Sequence, residues 1–252
     1  MAPNKLASIN DSIVSCRLGV FLKAPRVGEV KTRLGRSIGM APAARLYRCF
    51  SQAVIEQAMR LHDVETSVFY APADAIDACR QLLPPCRHSE VRLEAQIGGD
   101  LGGRMADALR QLLGGTPSPS PARAVLIGTD APSVDEATLR QAFDALRRAD
   151  VVLGPALDGG YYLVGMNGLH EDLFRNVPWS TEAVLPETVK RCQRLGLTVH
   201  FLEEKRDIDV LDDLRSLWDD LESARRRGAA FPREVWEACR DVLTDPTPPQ
   251  SR

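Results

Sequence analysis

The residues of this chain that could do chemistry gather in four short segments, each beside an apolar run. The first, Lys23-Ala24-Pro25-Arg26-Val27-Gly28-Glu29-Val30-Lys31-Thr32-Arg33, sets four cations and a glycine in one loop. Such a loop offers charged groups and backbone N–H groups to phosphate oxygens. It is not a P-loop, because Glu29 and Val30 separate Gly28 from Lys31-Thr32 and no GxxxxGK[ST] run exists; a solvated basic loop is the plain alternative. The second segment is Thr129-Asp130-Ala131-Pro132, where a carboxylate at a strand end could hold Mg²⁺ against phosphate oxygens. Asp130 or Ser133 would also serve as the N-cap of a helix beginning near Val134. The third, Asp158-Gly159-Gly160, puts an acid and two glycines before Tyr161, which suits close backbone approach to a substrate and equally an ordinary tight turn. In the fourth, Arg206 to Leu214, Asp207 and Asp209 alternate and so share one face of an extended segment, while Asp212 and Asp213 suit a first helical turn. Two weaker signals remain. Gln96 to Met105 is glycine-rich but lacks GxGxxG, and Val177 to Thr181 contains Trp179, which reads as core.

These segments need elements to position them. Ile13 to Leu22 reads as a buried strand, Lys23 to Gly39 as a loop, and Pro42 opens a helix with Leu46, Phe50, Val54 and Leu61 on one face. Thr66 to Tyr70 and Val91 to Ala95 read as strands around a helix over Asp74 to Leu83. After a helix over Arg104 to Leu113 comes a Gly, Ser and Pro-rich connection up to Ala122, then a strand over Ala124 to Ile127 and a helix bearing Leu139 and Phe143. Val151 to Leu153 and Tyr161 to Val164 are strands; Ser180 or Thr181 would cap a helix ending before Gly196, and Leu197 to Leu202 returns as a strand. Phe231 to Leu243 has the pattern of an amphipathic helix. Alternating strands and helices imply an α/β fold, a mainly parallel sheet covered on both faces, with ligands at the carboxyl ends of its strands.

Composition narrows the function classes. A chain of 252 residues with 44% hydrophobic content can fill one core, so residues 13–243 are expected to form one domain between a flexible stretch 1–12 and a disordered tail 244–252. The formal charge of −2 is dispersed, without the basic face that nucleic acid requires. No signal-peptide core or membrane-length apolar run occurs, so a cytoplasmic protein is expected. Six cysteines without a CxxC pair read as buried free thiols, and four histidines without ligand spacing give no zinc signature. No Ser-His-Asp or Cys-His arrangement is recognisable.

In their order, KTRLG, QIGGDLGGRM, IGTDAP, GPALDGGYYLVG, VPWSTEAVL and DIDVLDDL resemble the bacterial transferase-1 family associated with radical-SAM and selenodomain genes, over roughly Val14 to Leu221. That family is often labelled glycosyltransferase and is similar to the GT-A nucleotide-diphospho-sugar transferases, among them small nucleotidyltransferases such as 2-phospholactate guanylyltransferase and molybdenum-cofactor guanylyltransferase. The resemblance implies a Rossmann-like GT-A domain, a nucleotide or nucleotide-sugar donor, a small-molecule acceptor and Mg²⁺ or Mn²⁺. It places Lys31 and Arg33 on the phosphate loop, with Lys23, Ala24, Gln96, Asp100 and Gly102 around the nucleotide. Asp130 and Asp209 fall on the metal-binding acidic positions, and Asp158 and Gly159 on the acceptor side. Where nucleotidyltransferases of this fold carry a GGxGxRxG-type run, this chain has APRVGEVKTRLG. Sugar transfer and nucleotidyl transfer both remain open on these residues.

Overall fold

The computed structural model describes residues 14–85, 91–114 and 122–244. The expected flexible N-terminus and disordered tail lie almost wholly outside the described residues, as do Cys86 and His88. Seven strands form one sheet in the order β3-β2-β1-β4-β6-β5-β7. They are β1 (Ser15–Lys23), β2 (Glu65–Ala71), β3 (Arg92–Ala95), β4 (Ala122–Ile127), β5 (Val151–Pro155), β6 (Tyr161–Met166) and β7 (Val199–Phe201). The helices are α1 (Thr32–Ile38), α2 (Met40–Met59), α3 (Ile76–Arg80), α4 (Leu101–Leu112), α5 (Glu136–Ala145), α6 (Val184–Arg194), α7 (Leu211–Arg226) and α8 (Arg233–Thr244).

The sheet is mainly parallel, as expected, with β6 the exception: it runs antiparallel to both β4 and β5. Only residues 156–160 join β5 to β6. A parallel return needs a crossover of about a dozen residues or more, so the short turn dictates the reversal. Side chains alternate along the central strands and divide the core in two. Leu18, Val20, Leu22, Val68, Val152 and Leu163 face one side, where they meet α2 residues Val54 and Ile55 and α5 residues Leu139 and Ala142. Phe69, Leu126, Leu153, Val164 and Met166 face the other, against Met105 and Leu109 of α4 and Cys192 of α6. Beyond the sheet, Leu34, Phe50, Leu214, Leu217, Val235 and Cys239 tie α1, α2, α7 and α8 into a third cluster, so the C-terminal amphipathic helix closes a core.

Three expectations are corrected, one at α6, whose N-cap is Ala183 without a side-chain cap and not Ser180 or Thr181. The whole of Lys23 to Gly39 is not a loop, because α1 occupies Thr32–Ile38. Its helical character comes from burying Leu34 against α2 and α7, the usual way in which tertiary packing stabilises a helix too short to stand alone. Neither Asp130 nor Ser133 caps α5; Asp135 does, its Oδ1 accepting from the Thr138 N–H at 2.9 Å. The five cysteines among the described residues are free, and no helix among them is long and apolar enough to cross a membrane.

Candidate active site

The carboxyl ends of β1 and β4 and the amino end of the antiparallel β6 open into a cleft of about 360 Å³, bordered also by Tyr47 of α2, the start of α4, residues 179–181 and Asp207. Residues of the first loop are pinned before they can bind anything. The Ala24 N–H donates to Ala71 O at 2.7 Å, Lys23 Nζ to Glu29 O at 2.7 Å, and Arg26 pairs with Asp74 at 3.1 Å. Tyr47 joins the β1 and β4 ends: its hydroxyl accepts from the Lys23 N–H at 3.0 Å and shares a 3.0 Å hydrogen bond with Thr129 Oγ1. Burial, with the nearby Asp130 charge, pushes the Tyr47 phenol up.

At the centre is Lys31. It precedes α1 in the left-handed region, φ 47° and ψ 41°, uncommon for a residue with a side chain. Its side chain is 2% exposed, and its ammonium meets Asp130 Oδ1 and, at 3.0 Å, Asp209 Oδ1. Burial alone would drive the ammonium down, but the two carboxylates outweigh it and raise it above the usual lysine range. Arg33, largely exposed, stands 3.7 Å from Asp209 Oδ2. The backbone fixes this meeting: the Ile208 N–H donates to Asp130 O at 3.0 Å, so the segment before α7 is laced to the end of β4. Asp213 completes it by accepting from the Asp209 and Val210 N–H groups at 3.0 and 2.9 Å, the expected use of that first turn.

Asp207, on the shared face noted in the sequence, is the residue that sequence reasoning passed over as a ligand. It borders the cleft, and its Oδ1 is shut off from solvent with no hydrogen-bond partner. Burial pushes its carboxyl up to about 7; Asp130, Asp158 and Asp209 add to the effect and Lys31 opposes it. The alternation Asp207-Ile208-Asp209 was the available signal, since Ile208 is buried and both acids must then turn the other way.

The remaining expected residues divide. Lys23, Gln96 and Asp158 border the cleft, and Ala24 is fully buried beside it. Gln96 Nε2 donates to Phe69 O at 2.9 Å. Asp158 Oδ1 accepts from the Gly160 N–H at 2.9 Å, and Gly159, at φ 87°, packs so closely that a Cβ would stand 2.4 Å from the Glu182 Cα. The turn is thus both a tight turn and part of the cleft rim. Asp100 caps α4 through the Gly103 N–H at 2.8 Å, and Gly102 lies where a Cβ would stand 2.4 Å from Phe174 O and 2.7 Å from Trp179 Nε1. Neither borders the cleft; Leu101 between them does. Trp179, read as core, is a cleft wall as well, edge-on to Tyr161 at 6.5 Å.

Among the described residues no three His, Cys, Asp or Glu side chains form a ready-made metal cage. Mg²⁺ does not require one, since it keeps several waters and binds through one or two carboxylates plus substrate phosphates. Asp130 and Asp207 at the cleft, with Asp209 across the ammonium, are hard oxygen donors in excess of local positive charge. The orphaned Asp207 Oδ1 is the observation that makes them fit a divalent cation.

A family model described as "Uncharacterized protein conserved in bacteria (DUF2064)" matches residues 54–181, from α2 through the cleft wall at Trp179. The chain belongs to this family. Among solved structures, a Desulfovibrio desulfuricans G20 protein described as a "putative nucleotide-diphospho-sugar transferase" is 30% identical, with a TM-score of 0.79 over 91% of this chain and 95% of its own. A cytidylyltransferase from Leptospira borgpetersenii is similar at TM-score 0.54 and 13% identity, covering 95% of this chain and 99% of that one. The 4-diphosphocytidyl-2C-methyl-D-erythritol synthase of Anaerococcus prevotii gives 0.51 and 10%, over 81% and 98%. The last two share the fold only. No curated relative matches the chain. The family's fold is thus that of the nucleotide-diphospho-sugar transferases, with the sheet and flanking helices described above.

Proposed function

We propose that this chain is a divalent-metal-dependent transferase that takes a nucleotide donor, in the first instance a nucleotide sugar, and passes a group to a small-molecule acceptor. The observation that carries the reading is the meeting of Asp130, Asp209 and Lys31 beside the unpartnered Asp207 at the carboxyl ends of the strands, where ligands of open α/β sheets bind. The likeness to the Desulfovibrio protein and the ordered motifs shared with the transferase-1 family support it. Residues 13–243 would work as one catalytic domain, since a single sheet and its helices run from β1 to α8.

Asp130 and Asp209, with Asp207, would hold Mg²⁺ or Mn²⁺, which when bound neutralises a diphosphate. Lys31 and Arg33 stabilise charge on the departing phosphate, and Lys23 and Gln96 position the nucleotide beside β1. The acceptor oxygen forms its new bond to the transferred group as the bond from that group to the leaving phosphate breaks. The leaving phosphate keeps the electron pair, and Asp158, at the rim, takes the acceptor's proton. Catalysis is positioning and electrostatics, with no covalent enzyme intermediate.

A nucleotidyltransferase of the guanylyltransferase kind would use the same groups on a nucleoside triphosphate. Incubation with each nucleoside triphosphate and each common nucleotide sugar, reading the phosphate product, separates the two. A nucleoside diphosphate marks sugar transfer and pyrophosphate marks nucleotidyl transfer. Metal-independent nucleotide binding without turnover on any of them would make the chain a binding protein instead.

A further inference from the structure

The cleft has two chemically different parts. One is charged: Asp130, Asp158 and Asp207 border the cleft, and Asp130 shares the Lys31 ammonium with Asp209 behind it. The other is apolar: Phe21, Met105, Leu126, Tyr161, Val164 and Trp179 border the cleft and belong to the single core cluster under α4. Its walls are set by packing. Without a Cβ at Gly102, α4 comes down onto Trp179, whose ring stands edge-on to Tyr161. The indole Nε1 is shut off from the cleft, packed against Gly102, so the ring contributes an apolar surface to the wall. The apolar part begins at Tyr161, immediately after the Asp158–Gly160 turn, whereas the phosphate-binding loop leaves β1. Of the described residues bordering the cleft only Lys23 is basic, and it stands at the β1 end.

We propose that this apolar part is the acceptor subsite, and that the acceptor is an uncharged alcohol with an apolar body. This rests on the transferase reading above. It also separates the chain from enzymes whose acceptor carries phosphate or carboxylate groups. The anionic group of such an acceptor would lie among the apolar side chains, away from Lys23 and from the proposed metal site, and burying an unpaired anion there is costly. The apolar body rests on the Met105, Leu126 and Trp179 surfaces, and its hydroxyl reaches the carboxylates.

Three probes test this on the full-length protein with Mn²⁺ present, by calorimetry and saturation-transfer NMR: phenylpropanol, phenylpropyl phosphate and glycerol. Phenylpropanol is expected to bind, and the phosphate ester and glycerol each to bind at least ~tenfold more weakly, since one brings an unpaired dianion and the other lacks the ring. Trp179→Phe, which keeps a ring in the wall, should leave phenylpropanol binding within a few-fold, and Trp179→Ala should weaken it ~tenfold or more. The wild-type probe series stands even if either variant fails to fold. Equal or tighter binding of the phosphate ester, or of glycerol, overturns the proposal, as does competition between phenylpropanol and a nucleoside, which would make the wall a base site. Nucleoside diphosphate binding is measured in parallel on the wild-type protein. If nucleotides bind and phenylpropanol does not, the subsite fails alone; if phenylpropanol binds and no nucleotide does, the transferase reading fails and the subsite stands.

Discussion

Two buried cations hold this molecule together, and they are finished to different degrees. Arg191 of α6 is held by several partners. Its Nη1 donates to Asp172 O at 3.0 Å and to Arg175 O, its Nη2 to Asn176 O at 3.1 Å, and its Nε to Glu187 Oε1 at 2.8 Å. One carboxylate balances one guanidinium, and backbone carbonyls take up three of the other four donors. Lys31 has two carboxylates on its ammonium and Asp207 close behind, with an oxygen that nothing satisfies. The first is a closed fastening for the residues 172–176 loop. The second sets two carboxylates against one ammonium and leaves an oxygen of a third acid unpartnered, the surplus on which the proposed metal site rests.

The largest expected effect falls on the fastening. Arg191→Leu would strand three carbonyls, and at about 1 kcal/mol or more each the loss should reach ~3 kcal/mol, lowering the melting temperature by roughly 6–12 °C. Calorimetric melting checks it; an unchanged melting temperature would mean that the loop finds other donors. Asp130→Asn should do the opposite, melting near the wild-type temperature while losing ~10²-fold or more in turnover. Steady-state rates with saturating Mg²⁺ read that directly, and a mutant with unchanged metal dependence would remove Asp130 from the site.

Next comes Lys31→Ala, which should weaken nucleoside di- and triphosphates by ~tenfold or more and leave the bare nucleoside nearly unaffected. Equal losses across that series in calorimetry would make Lys31 a second fastening, and the contrast with Arg191 would vanish. The last effect is on pH-dependent stability. Because the Asp207 carboxyl is raised to about 7, the folded protein keeps a proton that the unfolded chain has released above ~4. Stability therefore falls as pH rises from about 4 to 7 and then levels off. In chelator-treated protein, Asp207→Asn should remove this slope and melt a few degrees higher than wild type at pH 8, with the gap closing below pH 4. A slope unaffected by the substitution would show that other groups produce it.

The fold was legible because its strands are apolar runs with clear breaks, and Leu46, Phe50 and Val54 mark α2 by spacing alone. What escaped depended on contacts far apart in the chain. Thr32 to Gly39 contains two glycines and only two large apolar residues, so nothing local announces α1; its stability lies with α2 and α7. The reversal of β6 was implicit in the five-residue turn before it. At the site, Lys31, Asp130 and Asp209 could be picked out as charged residues at element ends, but 178 residues separate Lys31 from Asp209, and their ion pair follows from the Ile208 to Asp130 lacing. Asp100 and Gly102 show the converse: their helix-capping and packing roles are explained by the local chain and by Trp179. Trp179 looked like core because it is partly core, and only its position beside the strand ends makes it a wall.

The most direct test of the account is a calorimetric titration of a nucleoside diphosphate into wild-type protein and Asp130→Asn, each with and without Mn²⁺. The open carboxylate cluster should make binding to the wild type at least ~tenfold tighter with the metal than without it, and the variant should show no such gain. Equal affinity in the presence and absence of Mn²⁺, or the same gain in both proteins, would contradict it.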